Sequence, residues 1–295
     1  MKSMKKTLLY MAFFSLFAFA LTGCSNDDDY NADTAISYYK PLEYDRMVSS
    51  IAITSRVNGK DNSWTYNFVY DAQNRIKEIH GDTRFYENQS IKDYCEGTVL
   101  SRYFYNNETL RIECNYDVYV PKIDESINMG GKFFGCFDKE DGKLIQFDSF
   151  DCEYSGLMIT KAYTDYGTTF GLEYDRNNNI IKTYQIDSLG NPSGKTIKEY
   201  AYSNEINKTN IDFASFLGYN IIERNVSFNE MHPYELFHLG AFGMLGGRGK
   251  NLPRGERARD NEEDLPLGVW VFDAEGYPTE YVSEKGRKYV IKYKE

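Results

Sequence analysis

Trp64-Thr65-Tyr66-Asn67-Phe68-Val69-Tyr70-Asp71-Ala72-Gln73-Asn74-Arg75-Ile76 is the stretch on which the fold turns. Side chains of an extended chain alternate with a period of two, so Trp64, Tyr66, Phe68 and Tyr70 share one face while Thr65, Asn67 and Val69 share the other. The alternation then stops at Asp71. Asn supplies the positive φ that a tight hairpin requires, and Asp bonds the backbone two residues on. The stretch therefore predicts a strand, a hairpin tip and the start of a returning strand. The same aromatic-Asp mark recurs at Phe137-Asp138 before Leu144, at Tyr174-Asp175 before Ile180 and at Phe272-Asp273 before Pro278. Each copy is read as another hairpin tip.

Outward from these marks, alternation returns repeatedly, as at Tyr289, Ile291 and Tyr293 against Lys292 and Lys294, and it predicts about fourteen strands. A meander of that length accumulates twist, and its open edges invite aggregation. The expected fold is mainly β, a long antiparallel meander curled into a barrel-like sheet. The pattern breaks over residues 205–266. There Asn210-Ile211-Asp212-Phe213 reads as the capped start of one short helix. Pro233 opens a second, from Tyr234 to Leu245, with Leu236, Leu239, Phe242 and Leu245 at helical spacing. Two short helices are thus expected before the last strands, over residues 205–245, packed on the concave side of the sheet.

The first residues carry an export signal. Lys2, Lys5 and Lys6 precede an apolar run that ends in Leu21-Thr22-Gly23-Cys24. The run is short of the ~20 residues a membrane-spanning helix needs, so residues 1–23 read as a removable signal peptide. Its end matches the bacterial lipobox, which implies cleavage before Cys24 and diacylglycerol on the Cys24 thiol. Asp27, Asp28 and Asp29 follow within an acidic tether over residues 24–40, leaving a single β domain over 41–295. Acidic residues behind the lipidated cysteine resemble the surface-export signal of Bacteroidetes lipoproteins. The expected location is the outer membrane, at the cell surface or on the periplasmic face.

Removing the signal takes away three lysines and no acid, leaving 31 basic against 44 acidic residues and a net charge of −13. A chain of that sign is repelled by nucleic acid and by anionic head groups, so the membrane partner is expected to be reached through the acyl chains alone. Aromatics make up 16% of the chain and lean to tyrosine, with 26 Tyr beside 19 Phe and 2 Trp. Tyrosine suits half-buried strand positions where the ring packs and the hydroxyl stays wet. Past Cys24 stand Cys95, Cys114, Cys136 and Cys152, which the sequence leaves open between thiols and disulfides.

The aromatic-Asp hairpins, the segment Tyr202 to Phe213, and Leu239-Gly-Ala-Phe-Gly-Met-Leu-Gly-Gly247 followed by Lys250-Asn-Leu-Pro253 resemble Bacteroidetes lipoproteins of the domain-of-unknown-function 4595 type. The likeness covers most of residues 40–295. It implies a porin-like β fold and brings no catalytic residues.

Chemical motifs are few. Gly240 to Lys250 looks glycine-rich, but a phosphate loop needs glycine where Met244 stands and Ser or Thr where Asn251 stands. Asp175 to Asn179 fails as a calcium loop, with Ile180 and Ile186 at the places of Gly and Glu. His232 and His238 are six apart, which does not align them on one helical face as zinc ligands. No cofactor is expected. Residues 246–266 read as a loop holding Arg248, Lys250, Arg254, Arg257 and Arg259 and then Asp260, Glu262, Glu263 and Asp264; its basic half is a candidate anion-contacting flap. Asp33-Thr34-Ala35 and Asp187-Ser188-Leu189 match a short O-glycosylation motif, making Thr34 and Ser188 candidates. Three functions stay open: a non-enzymatic binding module for a surface glycan or peptide, a structural partner of another envelope protein, and a hydrolase using two distant carboxylates.

Overall fold

Alternation of buried and more exposed residues runs along strands such as Lys60–Tyr70 and Cys95–Tyr105 of the computed structural model, which describes residues 37–41, 44–57, 59–85, 95–120, 124–147, 150–156, 158–164, 169–213, 239–244, 249–258, 268–284 and 286–295. The strands of the first half are β1 (Val48–Val57), β2 (Lys60–Tyr70), β3 (Ile76–Phe85), β4 (Cys95–Tyr105), β5 (Thr109–Val120), β6 (Glu125–Phe137), β7 (Leu144–Phe147) and β8 (Phe150–Ser155). The second half adds β9 (Met158–Thr164), β10 (Thr169–Tyr174), β11 (Ile180–Ile186), β12 (Pro192–Ile206), β13 (Asn251–Ala258), β14 (Val269–Phe272), β15 (Pro278–Val282) and β16 (Lys288–Tyr293). They form one 16-stranded sheet in the order β13-β12-β11-β10-β9-β8-β7-β6-β5-β4-β3-β2-β1-β16-β15-β14. The expected antiparallel meander, curled into a barrel-like sheet, is what the chain adopts.

The two edge strands, β13 and β14, are consecutive in the chain and meet without a ladder. The Gly268 amide donates to the Arg254 carbonyl, the Trp270 indole to the Pro253 carbonyl and the Tyr281 hydroxyl to the Arg254 carbonyl, each at 2.7 Å. Pro253 has no N–H for a neighbouring strand, which fits an edge. Gly268 is required, because a Cβ there would lie 2.2 Å from the Tyr281 ring. The sheet is therefore nearly closed, with two side chains and one backbone bond bridging the gap.

Antiparallel order sorts the connections to two ends. At one, the turn end, lie Asp71–Arg75, Asn106–Thr109, Asp138–Lys143, Asp175–Asn179 and Asp273–Tyr277, with residues 207–213, 239–244 and 249–250. At the far end lie Gly59, Asp124, Asp187–Asn191 and Ser283–Arg287. Ile51, Phe68, Ile79, Tyr103, Leu110 and Ile112 point inward and are buried, joined by Ile211, Phe213, Leu239, Phe242 and Met244. The outer face carries cross-strand ion pairs: Arg102 with Glu78, Lys132 with Glu113, Lys161 with Glu153, Lys182 with Glu173 and Lys288 with Glu280. A lipid-facing barrel has the reverse polarity, apolar outside and polar within.

Three boundaries differ from the sequence reading. Residues 251–258 are strand β13 and not part of a loop; the proline, glycine and charges of Asn-Leu-Pro-Arg-Gly-Glu-Arg-Ala hide it, since Leu252 alone is a large, fully buried apolar side chain there. At the other side of the insertion, Glu205 and Ile206 still belong to β12 and are not helical. The tether is shorter than 24–40, because Ser37 and Tyr39 are already buried. Of the expected helices, Phe213 and Leu239–Ala241 are helical, and the stretch 214–238 lies outside the described residues. Leu239 and Phe242 do pack on the concave side, with the Phe242 ring edge-on to Phe68 at 5.5 Å.

Candidate functional site

The aromatic-Asp copies fold alike. Asp71 Oδ1 accepts from the amides of Gln73 and Arg75, Asp175 Oδ1 from Asn177 and Asn179, and Asp273 Oδ1 from Glu275 and Tyr277. The fourth residue takes the left-handed conformation, with φ of 61° at Asn74 and Asn178 and 80° at Gly276. The Asp138 copy is one residue longer and turns at Gly142. Beside each turn the strand register slips at the aromatic residue, Tyr70, Phe137, Tyr174 or Phe272. A further copy, Asp187 to Asn191, sits at the far end.

Tyrosine hydroxyls close the turn end. A strand pair joined at the far end has its other ends free to splay, and in five of these pairs a tyrosine ending one strand donates to a carbonyl near the start of the strand before it. The pairs are Tyr70 to Val48, Tyr105 to Ile76, Tyr154 to Leu144, Tyr174 to Ile159 and Tyr293 to Pro278, at 2.5–2.9 Å. Burial pushes the hydroxyls of Tyr70, Tyr105, Tyr154 and Tyr174 well above the ordinary tyrosine range, so they stay neutral donors.

Residues 37–41 and 44–47 lie across this end as a strap. Tyr39 stacks between Tyr105 and Phe137, with ring centres 5.8 and 5.6 Å away, and its hydroxyl donates to the Phe242 carbonyl at 2.6 Å. The Tyr38 amide donates to the Asn107 carbonyl, and Gly142 leaves room for the Tyr38 carbonyl, which a Cβ would approach to 2.1 Å. Arg46 pairs with Asp273 at 2.7 Å and Glu275 at 3.1 Å. Beneath the strap Arg75 and Asp71 form a buried ion pair, Nε to Oδ2 at 2.6 Å, with the guanidinium 4.5 Å from the Tyr105 ring centre.

A crevice opens beside this pair, lined by Tyr39, Met47, Tyr70, Asn210, Ala241 and Phe242 among others. Its floor has space for about one water molecule. Asn210 crosses it, accepting from the Val48 amide and donating to the Tyr70 hydroxyl, so it ties strands where helix capping was expected. Burial pushes the Cys152 thiol up to about 12, so it is not a thiolate at neutral pH. No disulfide joins Cys95, Cys114, Cys136 and Cys152. Among the described residues no three His, Cys, Asp or Glu side chains converge as a metal site.

The residues singled out in the sequence are not brought together. Cys24, Thr34, Arg248 and Arg259 lie outside the described residues. Lys250 is exposed just before β13, Arg254 is half-buried at the seam, and Arg257 stands opposite Glu199 in the strand register. Ser188 is exposed on the far-end turn. Sequence reasoning missed Arg75, Tyr39 and the Asn179–Asn251 pair, whose side chains bond at 2.9 Å. The position of Arg75, fifth in a turn and directly before the inward Ile76, is the one signal that marked it.

No protein-family model and no curated protein matches the chain. Among solved structures it is similar to a porin-like protein from Bacteroides uniformis, with 12% identity and a TM-score of 0.51 over 88% of this chain and 99% of that one. A porin-like protein from Bacteroides vulgatus aligns at 12% identity and a TM-score of 0.27, covering 85% of this chain and 87% of that one. The first likeness extends to the fold.

Proposed function

We propose that this chain is a lipid-anchored envelope protein without catalytic activity, whose filled barrel stands in water and binds a surface glycan or an extended peptide on its outer surface. One observation carries the reading. The interior is packed with aromatic and aliphatic side chains, and the hydroxyls of Tyr70, Tyr105 and Tyr154 at its turn end are engaged by backbone carbonyls. A filled lumen conducts nothing, and an outer face laced with ion pairs would cost about 2–4 kcal/mol for each Arg or Lys held at a bilayer midplane. The lipobox ending at Cys24 and the resemblance to Bacteroidetes lipoproteins of the domain-of-unknown-function 4595 type support the anchor.

The test has two parts. Cys24→Ser should move the protein into the aqueous fraction; a variant that stays with membranes after carbonate washing overturns the lipid anchor. Purified residues 30–295 are screened against glycan and peptide panels, with bond cleavage assayed in the same mixtures. Binding without cleavage is expected, and release of reducing ends overturns the non-enzymatic reading. A second reading, a structural partner for another envelope protein, is favoured by edge strand β14, whose Val269 and Val271 are 64% and 47% exposed. A blank panel with a co-purified envelope protein selects it.

A further inference from the structure

We infer that the turn end of the barrel faces the bilayer and the far end points away from it; this rests on the lipid anchor at Cys24 proposed above. The strap fixes where the tether leaves the domain. Ser37 is buried, the Tyr38 amide is bonded to the Asn107 carbonyl, Tyr39 is stacked between two rings, and the Lys294 amide donates to the Met47 carbonyl. The chain therefore leaves the barrel at the rim of the turn end and cannot swing to the other rim without unpacking Tyr39.

Lengths then decide the orientation. Residues 25–36 separate Cys24 from the strap, and a chain of about a dozen residues without structure of its own has a root-mean-square span of ~20 Å. The tallest wall of the sheet, β5 and β6, has 12 and 13 residues. At ~3.3 Å per residue and a tilt near 40° such a wall stands ~33 Å high. To lay the far rim on the bilayer, the tether would have to run ~33 Å down the outer wall, about three quarters of its ~45 Å limit. With the turn end down it is slack. The surfaces that then point away from the membrane are the Asp187–Asn191 tip with Leu189 83% exposed, the Tyr119–Asp124 hydrogen bond at the β5–β6 connection, and the Ser283–Arg287 turn.

The experiment uses the full lipidated chain in vesicles of phosphatidylethanolamine and phosphatidylglycerol that contain an acceptor-labelled lipid. A donor fluorophore is placed at Asn74→Cys on the turn end or at Ser188→Cys on the far end, and the unsubstituted chain gives the background from the native thiols. With the probes at opposite rims of the barrel, energy transfer from the Asn74→Cys probe should exceed that from Ser188→Cys about twofold or more. Equal or reversed transfer from vesicle-bound protein overturns the orientation and leaves the anchor standing. A chain that does not bind vesicles overturns both.

Discussion

Asp71–Arg75 and Asp187–Asn191 are the same five-residue turn at opposite ends of the barrel. In both, the Asp carboxylate accepts the amides two and four residues on, and a residue with positive φ stands fourth. Their surroundings differ completely. The fifth side chain of the first turn is Arg75, with no exposure, clamped to Asp71 and lying on Tyr105 under the strap. The fifth side chain of the second is Asn191, in solvent. Local sequence therefore sets the turn geometry, while the energy stored at the turn depends on what the tertiary structure lays over it.

The most direct way to break this contrast is truncation of the fifth residue in each turn. Arg75→Ala leaves the Asp71 carboxylate buried without its counter-ion and should cost about 3–5 kcal/mol. Asn191→Ala removes an exposed side chain whose backbone amide, not its carboxamide, makes the turn bond, and should stay within about 0.5 kcal/mol. Urea denaturation of both variants checks the pair. Similar losses would mean that the turn itself, and not its burial, carries the stability.

A finer cut uses the fourth residue. Gly190 has φ of 84° and open space around it, so Gly190→Ala meets no neighbour and isolates backbone strain. The expected loss is about 1–2 kcal/mol, the penalty of an L-residue in the left-handed region. Asn74→Gly should be nearly neutral, within about 0.5 kcal/mol, because Asn already tolerates that conformation. Thermal melts separate the two, and a neutral Gly190→Ala would show that the far-end turn relaxes out of its geometry.

How far the sequence could be read follows from the same division. The hairpin tips were legible because Asp, Asn and Gly act within five residues, and β2 because Tyr66 and Phe68 bury on one face while Asn67 and Val69 do not. β13 was not legible, since its place is set by β12 alongside and by Trp270 and Tyr281 reaching across the seam, all non-local. The abundance of tyrosine was visible, and it pointed to half-buried strand positions with the ring packed and the hydroxyl in water. Its structural use, hydroxyls clamping the splayed ends of strand pairs, depends on register between strands and leaves no local mark. The same holds for Tyr39, which reads as tether until Tyr105 and Phe137 are seen on either side of it.

The smallest expected effect concerns the third turn, Asp273–Tyr277, intermediate between the other two, and it separates charge from geometry. The Tyr277 amide, then the Arg46 guanidinium and the Glu275 amide, hold the Asp273 carboxyl below its ordinary range. A carboxylate depressed in the folded state binds its proton more readily when unfolded. Its contribution is therefore complete above the ordinary value of ~3.9 and disappears as pH falls from there through the folded value. Asp273→Asn keeps an oxygen to accept both amides and removes only the charge facing Arg46. The variant should be slightly less stable than the wild type at neutral pH, and the two should converge as pH falls below ~4 and the wild-type carboxylate protonates. Because the pair is partly exposed, added salt should narrow the difference at neutral pH. Urea midpoints across that pH range, at low and high salt, make the comparison. Parallel acid limbs would mean that the turn needs only the oxygen, and that Arg46 fastens the strap through its stacking on Tyr277 and Tyr293 and not through its charge.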